Sequence, residues 1–234
     1  MAKDLKLADE LTLNVYDIRR TILGETSRAG LPCVMVRLAG CDLRCAWCDA
    51  LEATVSSNGR TQTLAEIAAT VDPLGTRIVC VGGGEPLQQK NAPALAAMLA
   101  AAGYTVLVET NGAHDISPLR PPIVRVMDVK CPASGMSRNF NWYNLQHLRP
   151  EDEVKFAIAG RDDYEYAREV IEKHALSTRC QVLLSPVAGP LAEIAPAMLA
   201  EWMLWDDLDA RLQLPLQKIV WPQGEPQEPR DERE

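Results

Sequence analysis

Residues 39–53, AGCDLRCAWCDALEA, put Cys41, Cys45 and Cys48 within eight positions in the spacing C-x3-C-x2-C. The run that leads into them, CVMVRLA from Cys33 to Ala39, is apolar throughout except for Arg37. That is the pattern of a strand buried on both faces. The chain carries seven cysteines, an odd number, and opens on MAKDLKLADE, which has no apolar stretch of the secretory kind. Thiols in such a chain belong to a reducing, cytoplasmic compartment, where a tight cluster points to metal rather than to disulfides.

Outward from the loop, strand-like and helix-like runs alternate. LTLNVYDI (Leu11 to Ile18) reads as a strand before the cysteine strand. After it come RIVCV (Arg77 to Val81), YTVLVE (Tyr104 to Glu109), IVRVMDVK (Ile123 to Lys130), EVKFAIA (Glu153 to Ala159) and CQVLLSP (Cys180 to Pro186). Helical spacing appears from Thr63 to Val71, where Thr63 and Glu66 make a capping box, and from Asn91 to a stop at Gly103. Two more helices are predicted, from Asp162 to His174 and from about Leu191 to Trp205, and Arg211 to Trp221 closes the fold. The alternation predicts an α/β fold with a mostly parallel sheet and helices outside. Nothing splits residues 1–222, which read as one domain; residues 223–234 read as a disordered, charged and proline-rich tail.

The polar words GGGEP, ETNG, DVKCP, KFAIAG and LLSP each close a predicted strand. Ligands in α/β sheets and barrels bind at that edge, so all of them can face one cavity together with the cysteine loop. At 47% apolar residues the chain can bury a sizeable core, and its net charge of −8 argues against a nucleic-acid partner. No apolar run approaches membrane-spanning length, so no membrane partner is expected.

Structural zinc asks for four ligands. Here three thiols stand together, while His114, His147 and His174 lie far off in sequence and Cys33, Cys80, Cys131 and Cys180 read as small buried thiols. Three thiolates on a four-iron cluster leave one iron open for a ligand.

With Trp47 before its last cysteine, the loop resembles the cluster loop of the radical S-adenosylmethionine (SAM) superfamily, and Gly83-Gly84-Glu85-Pro86 resembles that superfamily's Gly-Gly-Glu motif. A narrower resemblance runs from about Tyr16 to Trp221. ILGETSRAGLPCVMVRLAGCDLRCAWCDA, VGGGEPLQQ, VETNG, VMDVKCPASGM, EVKFAI and LLSPV are similar, in order, to the 7-carboxy-7-deazaguanine synthase family. That resemblance implies a modified partial TIM-type barrel, β6/α3-like. It implies ring contraction of 6-carboxy-5,6,7,8-tetrahydropterin to 7-carboxy-7-deazaguanine with loss of ammonia. The cofactors it implies are a 4Fe-4S cluster, SAM and magnesium. The partners are a one-electron donor such as flavodoxin or ferredoxin and a second copy in a homodimer. The alternatives are another small radical SAM enzyme, such as a glycyl-radical activase, a divergent homologue with a changed substrate, or a non-catalytic metal-binding module.

Residue by residue, the resemblance assigns the cluster to Cys41, Cys45 and Cys48. It assigns SAM to Trp47, Gly83, Gly84 and Glu85, with Glu85 and backbone carbonyls as candidates for the methionine ammonium. Asp128, Val129 and Lys130 form one further cofactor segment and Ser185, Pro186, Val187 and Ala188 another, with Asn111 and Lys155 on the same side. Ile22, Leu23, Gly24 and Glu25 form the pterin loop, and Arg37 pairs with the substrate carboxylate, which a planar guanidinium suits. The chain also departs from the family. Leu23 replaces a glutamine, and Gly82 replaces a threonine on the substrate side. Pro215-Leu216-Gln217-Lys218 stands where Gln-x-His-Lys is usual. Ala50 sits at the usual magnesium-ligand position with no side-chain ligand, which puts the magnesium in doubt.

Overall fold

The computed structural model describes residues 8–189 and 192–224. The predicted tail from residue 225 onward, and the first seven residues, lie outside that range. One sheet of nine strands runs through the described residues. The strands are β1 (Thr12–Ile22), β2 (Pro32–Leu38), β3 (Arg60–Thr63), β4 (Ile78–Gly83), β5 (Thr105–Thr110), β6 (Val124–Asp128), β7 (Glu153–Ile158), β8 (Gln181–Pro186) and β9 (Arg211–Leu212). Their order is β3-β1-β2-β4-β5-β6-β7-β8-β9. From β2 through β9 each pairing is parallel, whereas β1 is antiparallel to both β2 and β3. β9 pairs with β8 alone, so the curved sheet is a partial barrel that stays open between its two ends.

The α-helices are α1 (Leu64–Val71), α2 (Ala92–Ala101), α3 (Arg161–His174), α4 (Pro196–Trp205) and α5 (Leu216–Val220). Three of them, α1, α2 and α3, connect the six strands β2 and β4 to β8, which is the expected β6/α3 core. The α1 capping box forms as predicted: Thr63 Oγ1 accepts from Glu66 N, and Glu66 Oε2 accepts from Thr63 N. α1 then turns Leu64, Ile67 and Val71 onto the sheet, where they pack with Val79 and Val81 of β4. Between those valines Cys80 points the other way, into a small barrel interior with Leu23, Cys33, Leu107, Val124 and Val126. This is the period-two alternation of a strand covered on both faces.

Several boundaries differ from the sequence reading. β1 runs to Ile22 rather than Ile18, because Arg19, Arg20 and Thr21 pair with Met35, Val34 and Cys33 across the hairpin despite their polarity. β3, Arg-Thr-Gln-Thr, has no apolar alternation; it forms because it is an edge strand held by Thr12 to Val15. α4 begins at Pro196 instead of about residue 191, since Glu193 N donates to Ala159 O and draws the chain back along β7 first. Position 191 itself lies outside the described residues.

The N-terminal end of the barrel is closed by charge. Glu153, fully buried at the start of β7, accepts from Ser27 N (2.8 Å), Ser27 Oγ (2.6 Å) and Arg28 Nη1 (3.1 Å) in the β1–β2 loop. Asp152 beside it takes Arg125 and Arg149. Buried carboxylates are tolerable only when paired in this way. No helix among the described residues is long and apolar enough to cross a membrane.

Candidate active site

At the opposite end of the strands lies a cavity of about 390 Å³. The cysteine loop forms one wall. Its backbone is tied at both flanks, Gly40 N to Ala53 O (2.8 Å) and Cys41 N to Thr54 O (3.1 Å), and in the middle by Ala46 N to Ser134 O (3.1 Å). Arg44 Nη1 caps the carbonyls of Cys41 and Leu43, each at 2.7 Å. All three thiols are free, half-buried and face the cavity with Trp47. Burial pushes the Cys41 and Cys45 thiols above the ordinary cysteine value, so binding a metal centre there releases protons. Among the described residues no group of three or more His, Cys, Asp or Glu side chains converges to hold one ion, as structural zinc would need. The other four cysteines are buried elsewhere. Three separate thiolates on one wall fit an iron–sulfur cluster with an open position.

The second wall is the end of β4. Gly83 has φ +107°, and a Cβ on Gly84 would stand 2.0 Å from Gly40 O. Only glycine lets this turn pass so close to the cysteine loop, where Gly84 N bonds Leu38 O (2.9 Å) and Glu85 N bonds Gly40 O (2.8 Å). Gly83 and Gly84 line the cavity; Gly82 does not, and its open side faces Glu109. Glu85 is a correction to the sequence reading. It is fully buried, and its carboxylate accepts from Leu87 N (2.9 Å), Thr110 Oγ1 (2.8 Å) and Asn111 N (2.6 Å). Burial pushes its carboxyl up and these donors pull it back. Its carboxylate is engaged inside the protein, and Glu85 does not line the cavity. What it holds is the turn after β5, where Asn111 Nδ2 lies 3.9 Å from Cys41 Sγ and 3.4 Å from Asp42 Oδ1. His114, distant in sequence, comes to the same loop and meets Asp42 at 3.0 Å.

The floor is a chain of charges. Lys155 Nζ is 2.5 Å from Glu25 Oε2 and 3.6 Å from Asp128 Oδ2, and Lys130 Nζ is 2.8 Å from the same Asp128 oxygen. The Lys155 ammonium draws Glu25 down to about 2. Burial works against the charge on Lys155, yet Glu25, Asp128 and Glu109 together hold it well above the ordinary lysine value. Burial pushes Glu109 up despite the nearby Lys155. The second oxygen of Asp128, Oδ1, is buried without a hydrogen-bond partner among the described residues, an open acceptor on a residue of the cavity wall. Ser185, Pro186, Val187 and Ala188 complete this side. Val129 does not, because its side chain is buried in the core behind β6.

Ile22, Gly24, Glu25 and Arg37 also reach the cavity, and Leu23 is turned away into the barrel interior. Arg37 makes no ion pair or side-chain hydrogen bond among the described residues, so the salt bridge that an edge arginine often forms is not made here. Residues that the sequence reading left without a role close the front. Gln217 Nε2 donates to Glu25 Oε1 (3.0 Å), Leu216 N to Gly24 O (3.2 Å) and Gln213 Nε2 to Gly24 O (3.0 Å). Lys218 Nζ meets Asp49 Oδ2 at 3.0 Å. The signal that could have found them is the Gln-x-His-Lys position, where Pro215 and Gln217 depart from the pattern and Lys218 keeps it.

Magnesium does not fit as the cluster does. At the position the resemblance implies, Ala50 presents a methyl group to the cavity, and the neighbouring Asp49 carboxylate is already held by Lys218.

A profile of the Radical SAM superfamily matches residues 35–175. The chain is 40% identical over 221 residues to the 7-carboxy-7-deazaguanine synthase of Koribacter versatilis (strain Ellin345), covering 89% of this chain and 97% of the relative. It is 36% identical over 221 residues to the protein of the same name from Chlorobaculum tepidum, covering 92% and 97%. Among solved structures, QueE from Escherichia coli superposes with a TM-score of 0.73 at 18% identity, over 91% of this chain and 97% of that one. Streptococcus suis SuiB bound to S-adenosylmethionine superposes with a TM-score of 0.52 at 14% identity, over 75% of this chain and 44% of that one.

Proposed function

We propose a function from the premise that this chain belongs to the 7-carboxy-7-deazaguanine synthase family of the radical SAM superfamily: it is the enzyme that contracts 6-carboxy-5,6,7,8-tetrahydropterin to 7-carboxy-7-deazaguanine and releases ammonia. Its cofactors are an iron–sulfur cluster and SAM, which when bound supply a carbon-centred radical able to remove a hydrogen atom from unactivated carbon. The observation that carries the reading is one cavity that joins the cysteine wall to Arg37, which makes no ion pair or side-chain hydrogen bond among the described residues.

Each wall then has its task. Cys41, Cys45 and Cys48 hold the cluster. The backbone of Gly83 and Gly84, the open Asp128 oxygen with Lys130, and the segment from Ser185 to Ala188 hold SAM. Glu25 is kept ionised and Lys155 protonated, so the floor presents fixed charges that orient a polar heterocycle without exchanging protons with it. Arg37 offers its fork to the substrate carboxylate. The segment from Gln213 to Lys218 keeps water off the floor by joining the chain after β9 to the Gly24–Glu25 turn after β1. A one-electron donor such as flavodoxin or ferredoxin and a homodimeric, cytoplasmic form complete the proposal.

Anaerobic incubation of the reconstituted enzyme with SAM, reductant and the carboxypterin, followed by product mass analysis, tests it. The expected products are 7-carboxy-7-deazaguanine and 5'-deoxyadenosine. 5'-Deoxyadenosine without the deazaguanine would replace the substrate while keeping the radical chemistry.

A further inference from the structure

At the corner of the cavity where Ala50 offers only a methyl group, an ion pair stands ready. Lys218 Nζ and Asp49 Oδ2 are 3.0 Å apart, with side chains 37% and 54% exposed, and both residues line the cavity. The other cations there are committed. Lys155 serves Glu25 and Asp128, Lys130 serves Asp128, and Arg19 serves Asp17 at 3.1 Å. Lys130 and Lys155 are drawn to Asp128 on the buried floor, whereas Lys218 is the more exposed lysine at this corner, and Arg37 makes no ion pair among the described residues. A lysine ammonium has three donors, and Asp49 takes one of them. Lys218 is also firmly placed, because its helix is fastened through Leu216 N to Gly24 O and through Gln217 to Glu25.

We infer that Lys218 stands in for a divalent cation: its ammonium bridges Asp49 and the carboxylate of the bound substrate, opposite Arg37, so that substrate binding is independent of magnesium. The inference rests on the carboxypterin reading given above. The chemistry is that of a positive point charge set against a carboxylate, which an ammonium shares with a small metal ion. Because the pair is open to solvent, little is lost when Asp49 shares its partner with an incoming anion. The same arrangement explains how a chain with alanine at position 50 can still neutralise that anion.

The test uses the anaerobically reconstituted holoenzyme with SAM. Carboxypterin affinity is measured by equilibrium dialysis in EDTA and in millimolar magnesium, for the natural chain, Lys218→Met and Lys218→Arg, with iron content checked in each. Manganese, as a spectroscopic substitute for magnesium, is followed by EPR with and without carboxypterin. We expect equal affinity in both buffers for the natural chain and no bound-manganese signal on adding carboxypterin. We expect at least tenfold weaker binding for Lys218→Met at unchanged iron content, and recovery to within threefold in Lys218→Arg. Affinity that rises tenfold with magnesium, a bound-manganese signal that appears with substrate, or a Lys218→Met variant that binds like the natural chain overturns this inference alone. A natural chain that binds no carboxypterin in either buffer overturns it together with the substrate reading.

Discussion

Replacing Glu85 by glutamine changes one atom, and the structure says what that atom does. Oε1 accepts from Leu87 N and Thr110 Oγ1, and Oε2 accepts from Asn111 N at 2.6 Å. A carboxamide has one acceptor oxygen. If that oxygen keeps Leu87 and Thr110, its NH2 group faces the Asn111 N–H, donor against donor, in a site with no water access. Losing a charge-assisted bond and leaving a buried N–H unpaired costs about 2–4 kcal/mol together. Removing the charge returns part of its desolvation penalty, the same burial that pushes the Glu85 carboxyl up. The net is a loss of about 2 kcal/mol. With a urea m-value of about 3 kcal/mol/M, that is a fall of about 0.7 M in the midpoint of the apo protein. The function suffers along the same line, because the Asn111 turn that Glu85 fixes also touches Cys41 and Asp42. Reconstituted Glu85→Gln should therefore carry less iron per chain than the natural protein. An unchanged urea midpoint with full iron content would refute the reasoning, since it would mean that Glu85 is already protonated and carries no load.

Glu25→Gln should flatten the acid limb of the stability curve. The folded-state value near 2 lies below the unfolded value near 4.5, so Glu25 adds stability above the unfolded value that is lost as the pH falls toward 2; the change, at most about 3 kcal/mol, is read by urea titrations across that window. Asn111→Ala should lower the cluster's midpoint potential in an EPR-monitored redox titration, because a donor near a cluster thiolate favours the reduced state; an unmoved potential would remove Asn111 from that role. Arg37→Gln should weaken carboxypterin binding by about 2 kcal/mol, roughly thirtyfold in Kd, while uncoupled SAM cleavage continues; equal losses in both would place Arg37 on the cofactor instead.

The parts of the molecule that were legible in the sequence are those where a local pattern meets a local demand. The cysteine spacing, the glycine turn after β4 and the capping box at Thr63 each state their geometry within a few residues. The mostly parallel sheet followed from strand-like runs alternating with helical ones, and the edge that holds the site from the polar words that close those runs. What stayed hidden depends on pairs far apart in the chain. β3 has no pattern of its own and exists because Thr12 to Val15 need a partner. Glu85 looked like a ligand because it sits in a ligand-binding word, yet its acceptors are spent on the next strand's turn. Leu23 and Val129 lie in site-like words but alternate inward, as a period of two requires. His114 returns to Asp42 and Gln217 to Glu25 through tertiary packing that no window of sequence contains.

The open side of the sheet, where the segment after β9 meets the turn after β1, sets an order of construction. Every thiol of the cysteine wall, and every strand from β1 to β8, precedes residue 187. The segment that meets that turn, Gln213 to Lys218, emerges from the ribosome only after them, and its anchor is the Gly24–Glu25 turn made near the beginning. A growing chain can thus present all three cluster thiols while its substrate floor still lies open to water. Under the proposed function, the wall that holds the cluster is complete in the chain before the segment that encloses the substrate, and that segment closes the site by reaching back to the turn after β1.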